Sequence, residues 1–324
     1  MKPLVSVVMS VYNAEKYLDE SIQSILSQTY SNFEFIIIND GSTDESLEII
    51  ERYAEKDNRI IVISRENRGL IASLNEGIKK AKGKYIARMD ADDISMPTRF
   101  EKQVEFMEKN KHIGICGTAV IGFGEDMKES IWKLSTKSSA LKTQLLFSSC
   151  FAHPSVMMRK EVLVQNTLLY NQEFLHVEDY ALWVELAKIT EFANLSQPLL
   201  RYRVLKNSIT RVADKNHQER YRTHQKIFTK YLDILGMDRT EDEKKLHFAL
   251  SVNTRIKEAK LDFYILNDYF DKIVKLNNEI KYFDSLELKK VLGKKWLWTF
   301  YYRKNIDGLF SKYFLYGLWG MIRK

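Results

Sequence analysis

The stretch KYIARMDADD at residues 84–93 sets Asp90, Asp92 and Asp93 within four positions, directly after the apolar run from Tyr85 to Met89. Carboxylates this close repel one another, and no basic residue follows until Arg99. A hard divalent cation, Mn2+ or Mg2+, relieves such repulsion, because it takes one or two protein carboxylates together with phosphate oxygens. The spacing is not that of an EF-hand: Ile94 stands at its fifth position and no glycine at its sixth. Asp90 and Asp92, two residues apart, suit a ribose hydroxyl and a metal. The competing reading is a solvated loop in which Asp93 or Ser95 caps a helix starting near Pro97.

Asp40 closes a second apolar run in IINDGSTDES. An ionised carboxylate only accepts hydrogen bonds, so it suits the imide N–H of a uracil ring. The same residues suit a strand-to-helix turn, and Gly41 lets backbone come close to a ligand, so both roles can hold together.

These acids need elements that deliver them to one place. Residues 4–12, 33–39, 59–64 and 84–89 read as strands. Between them EKYLDESIQSILSQ, DGSTDESLEIIERYAEK and LIASLNEGIKKA repeat apolar residues at helical spacing. Ser42 and Glu45 have the spacing of a capping box ahead of the second helix. Strands separated by helices predict parallel pairing with right-handed crossovers, a Rossmann-like α/β sheet. Ligands bind such sheets at the carboxyl ends of the strands. Asn13, Asp40 and the acids from Asp90 to Asp93 all fall there. From about 113 to 204 the pattern is mixed, with a helix near 178–189, and beyond Arg211 long helical stretches without proline take over. A boundary near 210 therefore predicts two parts, residues 1–210 and 211–324.

Bulk properties fit this division. A hydrophobic fraction of 45% and an aromatic fraction of 12% are those of a packed globular chain. Two cysteines, Cys116 and Cys150, without a CxxC pair, argue against a disulfide framework or thiolate zinc site and fit a reducing compartment. The N-terminal apolar run is broken by Asn13 and Glu15, which predicts a buried strand rather than a leader. No apolar stretch is long enough to span a bilayer. A net charge of +7 favours anionic partners, and the cations gather at the end, from Lys289 to Lys324, with Asp307 the only acid among them. There KKWLWTFYYRKNIDGLFSKYFLYGLWGMIRK interleaves aromatic residues with lysine and arginine, a pattern suited to an anionic membrane surface or to a helix packed on its own domain. No nucleic-acid motif accompanies the charge.

Taken together, LVSVVMSVYNAEKYLDESIQSILSQTYSNFEFIIINDGSTDES and NRGLIASLNEGIKKAKGKYIARMDADD resemble the family 2 glycosyltransferases of the GT-A fold. The resemblance covers about residues 3–210 and is strongest to bacterial enzymes that build lipooligosaccharide, O-antigen and capsule chains. It implies a mixed, mainly parallel sheet flanked by helices, followed by a C-terminal helical region. It also implies that Tyr12, Asn13 and Asp40 bind the nucleotide base, that Asp90 contacts the ribose, and that Asp92 holds the Mn2+ or Mg2+ bridging the donor diphosphate. The family's carboxylate base, in an E-D pair opening a helix, matches Glu178 and Asp179 in HVEDYALWVELAK, with Trp183 one turn on. Asp179 is the expected base, taking the acceptor hydroxyl's proton in an inverting transfer. His153, Glu178, Trp183 and Arg203 are expected acceptor or phosphate contacts. One position departs from the family pattern: in YRVLKNSIT, Leu205 stands where the family often has a histidine, leaving either Arg203 or Lys206 to meet phosphate or the metal with fewer protein ligands.

The expected activity is therefore metal-dependent transfer of a hexosyl or N-acetylhexosaminyl group from a nucleotide sugar, UDP-linked, to a hydroxyl of a surface glycan or lipid-linked oligosaccharide. The expected place is cytoplasmic, peripheral at the inner face of the cell membrane, without nucleic acid. The alternatives are a sugar nucleotidyltransferase, against which SVYNAEKY lacks a Gly-rich basic loop, and a catalytically silent membrane-associated binding module.

Overall fold

The computed structural model describes residues 4–125, 127–205, 216–252, 261–303, 308–309 and 311–322. In chain order these form β1 (Val5–Val11), α1 (Glu15–Leu26), β2 (Phe33–Asp40), α2 (Ser46–Ala54), β3 (Ile60–Arg65), α3 (Leu70–Lys80), β4 (Tyr85–Asp90), β5 (Ile94–Ser95), α4 (Arg99–Lys109), β6 (Ile113–Gly124), β7 (Met127–Trp132), α5 (Ser138–Gln144), β8 (Met157–Arg159), α6 (Lys160–Gln165), α7 (Glu178–Leu186) and β9 (Glu191–Arg203). Among the described residues five helices follow: α8 (His217–Leu232), α9 (Glu241–Ser251), α10 (Phe263–Ile280), α11 (Ser285–Arg303) and α12 (Lys312–Ile322).

The strands form one sheet in the order β3-β2-β1-β4-β8-β6-β9-β5, with β7 on β6. β1 to β4 pair in parallel, as the strand–helix alternation predicts, while β8 runs antiparallel to β4 and β5 antiparallel to β9. The first strands read as unbroken apolar runs because both sheet faces are covered. Val5, Val7, Met9, Phe35, Ile37, Tyr85, Ala87 and Met89 pack under Leu18, Ile22, Phe100 and Met107 of α1 and α4. Strand alternation turns Ile86, Arg88 and Asp90 to the opposite face, the one α3 lies on.

Two local expectations are corrected. α2 begins at Ser46 with Glu45 as its N-cap and no capping side chain, so Ser42 and Glu45 form no capping box. Instead the two strand-to-helix turns cap each other: the Glu15 amide donates to Asp44 at 3.1 Å, the Glu45 amide to Glu15 at 2.9 Å, and the Ala14 amide to Ser46 Oγ at 2.9 Å. The helix expected near Pro97 starts at Arg99, and its N-cap Thr98 makes no side-chain capping bond, so neither Asp93 nor Ser95 is its cap.

The chain divides into two compact units, residues 1–137 with 151–215, and residues 138–150 with 216–324. The expected boundary near 210 lies outside the described residues. Segment 138–150 groups with the C-terminal helices because its Leu145, Leu146 and Phe147 are buried there and its carbonyls are used. Tyr231 OH donates to Lys142 O at 2.7 Å, and His247 Nε2 donates to Leu146 O at 2.7 Å.

Candidate active site

The carboxyl end of β4 gathers the acids. Asp90, Asp92 and Asp93 each offer an oxygen, and these oxygens lie within 4.8 Å of one another. Burial and the neighbouring Asp90 raise the Asp92 and Asp93 carboxyls above the usual range. Asp93 is almost fully enclosed, and its Oδ2 has no hydrogen-bond partner. Three hard oxygen donors, one of them buried and unsatisfied, fit a Mg2+ or Mn2+ ion.

Asp93 is also held from a distant strand. The Arg203 amide donates to Asp93 Oδ1 at 2.7 Å, and Arg203 Nε donates to the Asp92 carbonyl at 2.6 Å. The guanidinium continues to Glu20 at 2.5 Å and lies 4.2 Å from the Tyr17 ring centre and 4.4 Å from that of Phe123. In this structure Arg203 thus serves the acidic turn through its amide and Nε, and Glu20 of α1 through Nη2. Leu205 is half-buried, and Lys206 lies outside the described residues.

Beneath Asp90 lies a cation that the sequence reading passed over. Arg88 is 4% exposed, ion-pairs with Asp90, and leaves Nε and Nη1 without partners. Burial opposes its charge, and the Asp90 carboxylate more than restores it. A lone arginine inside the strand YIARMD was the available signal.

Asp40 is buried and accepts from Arg65 Nη1, from the Arg68 amide at 2.9 Å and from the Gly69 amide at 2.9 Å. It therefore sits at the N-terminus of α3, where an anion is favoured. Gly41, at φ +75°, permits this closure: a Cβ there would stand 2.6 Å from Asn67 N. With three of roughly four acceptor sites used, one remains for a ligand N–H. Asn13, at φ +49°, accepts from the Thr43 amide at 2.8 Å and so latches the two turns above the site. Tyr12 beside it is exposed.

The other flank is the first turn of α7. Glu178 is buried and Asp179 half-buried. Burial, then the adjacent Asp179, push the Glu178 carboxyl up, and the fields of Arg88 and Asp90 also reach it. The E-D pair and the acidic turn thus share one electrostatic neighbourhood. Trp183, on α7 itself, meets the His153 ring edge-on at 5.9 Å. His153 is half-buried, its Nε2 is 2.7 Å from Tyr170 OH, and burial then Arg88 lower its pKa and favour the neutral ring. Trp183 is 0% exposed and meets the Phe151 ring edge-on. Trp183 is enclosed in this structure, while His153 keeps part of its surface open. Tyr170 also escaped the sequence reading. Its amide and carbonyl are clamped by the Asn75 side chain at 2.9 and 2.7 Å, which ties the segment before α7 to α3.

The fold is a mainly parallel α/β sheet with an acidic site at its strand ends, and comparison with known proteins identifies its class. The profile of Glycosyl transferase family 2 matches residues 6–165. A Haemophilus influenzae glycosyltransferase is 35% identical over 90% of this chain and 96% of its own length. The O-antigen biosynthesis glycosyltransferase WbnJ of Escherichia coli is 38% identical over 65% of this chain and 83% of its own. Among solved structures, S. aureus TarS 1-349 in complex with UDP-GlcNAc superposes with a TM-score of 0.61, covering 95% of this chain and 89% of that one at 20% identity, a likeness of fold. The chain belongs to glycosyltransferase family 2 and is a glycosyltransferase of the GT-A fold.

Proposed function

We propose that this enzyme performs an inverting, divalent-metal-dependent transfer of a hexosyl or N-acetylhexosaminyl group from a UDP-sugar to a hydroxyl of a bacterial surface glycan or lipid-linked oligosaccharide. The observation that carries this reading is the meeting of two acidic groups in one field: three carboxylates within 4.8 Å at the end of β4, and the Glu178–Asp179 pair opening α7. UDP as the carrier is supported by the UDP-GlcNAc complex of TarS, and a glycan acceptor by the O-antigen role in the name of WbnJ.

In this reading the chemistry belongs to residues 1–210, with residues 211–324 as a helical accessory region. Tyr12, Asn13 and Asp40 surround the base, and Asp90 takes the ribose. Asp92, with Asp93 beside it, would hold Mn2+ or Mg2+, which when bound supplies positive charge against the departing diphosphate. Asp179, the more open acid of its pair, accepts the proton of the acceptor hydroxyl. Buried Glu178 holds a proton more readily and so keeps the pair from carrying two full charges. The enzyme works at the inner face of the cell membrane, and a capsule or lipopolysaccharide chain is the product class.

The test is transfer and binding with UDP-, GDP- and dTDP-sugars in the presence of Mn2+, Mg2+ or EDTA. Transfer from UDP-sugars that stops in EDTA is expected. Undiminished transfer in EDTA removes the metal, and a preference for GDP- or dTDP-sugars removes UDP.

A further inference from the structure

The second unit ends in two helices, α11 and α12, that cross at glycine. A Cβ on Gly293 would lie 2.3 Å from Gly317 N, and one on Gly317 would lie 2.5 Å from Gly293 O, so both backbones approach as closely as these residues allow. Further along, Phe300 meets the Phe314 ring at 5.2 Å, and Trp296 Nε1 donates to Gly308 O at 2.7 Å. The inner faces are thus packed.

The faces left outside are not polar. α12 has Lys312 as its single charged residue, and it exposes Leu315 at 63% and Met321 at 58%, with Leu318 between them. α11 exposes Trp298 and Tyr301, and Tyr302 stacks on Trp298. A helix apolar on nearly every side belongs in a core or against lipid.

Charge names the cover. Residues 285–324 carry nine lysines and arginines against two acids, Glu287 and Asp307, which accounts for the chain's entire +7; the rest is neutral in sum. Lys289 and Lys290 sit over the Tyr316 and Trp319 rings, and Lys294 and Arg303 are exposed on α11. A second copy of the chain would press one strongly cationic surface on another. Nucleic acid would use the cations and leave Leu315, Leu318 and Met321 in water. An anionic lipid surface uses both.

We propose that the α11–α12 pair is the surface by which the enzyme docks on an anionic bilayer. Leu315, Leu318 and Met321 enter the boundary between headgroups and acyl chains. Trp298 and Tyr301 lie at headgroup depth, where amphipathic rings are favoured, and the exposed Lys294 and Arg303 meet lipid phosphates. Among the described residues no helix is long and apolar enough to cross a membrane, so the pair lies on the surface. The proposal rests on the reading of a membrane-linked acceptor and names the surface that brings the enzyme to it.

The experiment is co-sedimentation of the full chain with phosphatidylcholine vesicles, with or without about a quarter phosphatidylglycerol, at about 0.1 and 0.5 M salt. The anionic vesicles are expected to bind about tenfold or more tightly than the neutral ones, less so at high salt. Leu315→Glu with Leu318→Glu, and separately Lys294→Glu with Arg303→Glu, should each weaken binding about tenfold with melting temperature and UDP affinity unchanged. Equal binding to neutral and anionic vesicles, or binding indifferent to both double variants, overturns the proposal. So does a dimer in ultracentrifugation that the Leu315→Glu/Leu318→Glu variant dissolves, or binding to nucleic acid in place of vesicles. UDP-sugar binding is read on the same samples. Vesicle binding without it sinks the enzymatic reading, whereas intact UDP-sugar binding without vesicle binding sinks only the docking surface.

Discussion

Arg203 reaches across the sheet to Asp92: its Nε donates to the Asp92 carbonyl at 2.6 Å, while its own amide holds the Asp93 carboxylate at 2.7 Å. The acidic turn is therefore set by a residue 111 positions further along the chain. Arg203→Ala removes a charged donor and releases Glu20 as well. Hydrogen bonds to charged groups contribute about 1.5–3 kcal/mol, so Mn2+-dependent UDP binding should weaken roughly tenfold to a hundredfold. Arg203→Lys, a point charge without the fork, should recover only part of it. Calorimetric titration of UDP with and without Mn2+ checks this; a loss confined to metal-free UDP binding would restore the phosphate-contact role instead.

The two acidic groups should separate cleanly by mutation. Asp179→Asn is expected to lower kcat by about a thousandfold or more while leaving UDP affinity within about twofold, since base removal costs chemistry and not binding. Asp92→Asn should instead abolish the dependence of UDP binding on Mn2+. An active Asp179→Asn enzyme refutes the assignment of the base.

Glu178 ties stability to pH. Burial, then Asp179, raise its carboxyl from 4.5 to about 7. A carboxyl raised in the fold holds its proton more tightly folded than unfolded. Its contribution is therefore complete below pH 4.5 and is lost as pH rises through about 7. The loss is of the order of 3 kcal/mol at most. Glu178→Gln should unfold at higher denaturant than wild type above about pH 8 and match it near pH 4.5. Identical curves at both ends would show that Glu178 ionises freely.

Asn75 is a positioning residue for the same flank. Its amide makes both bonds to the Tyr170 main chain, and Tyr170 OH meets His153 beneath α7. Asn75→Ala should cost about 1–3 kcal/mol in thermal or denaturant unfolding. It should also lower kcat with UDP affinity unchanged; unaltered kcat in a destabilised protein would confine Asn75 to the fold.

Much of the scaffold was legible because strands buried on both faces leave a continuous apolar signature and helices a periodic one. The four parallel strands fall within about a residue or two of their expected ends. Capping was less legible. Thr240 and Glu243 form a true capping box on α9, whereas Ser42 and Glu45, with the same spacing, do not. The difference is tertiary: Ser42 Oγ accepts from the Asn13 amide and the Glu45 amide donates to Glu15, so partners from another turn displace the local ones.

By itself the sequence determined the alternating α/β scaffold, the acids at its strand ends and the family they mark, because periodicity and short motifs are local properties of a chain. Which donors satisfy those acids was decided only in three dimensions. Asp40 is met by the amides of Arg68 and Gly69, Asp93 by the amide of Arg203, and Arg88 lies enclosed against Asp90. Trp183, a candidate contact through the family resemblance, is enclosed by packing. A carboxylate's partners depend on distance in space, and residues 110 positions apart carry no mark of their pairing until the sheet brings them together.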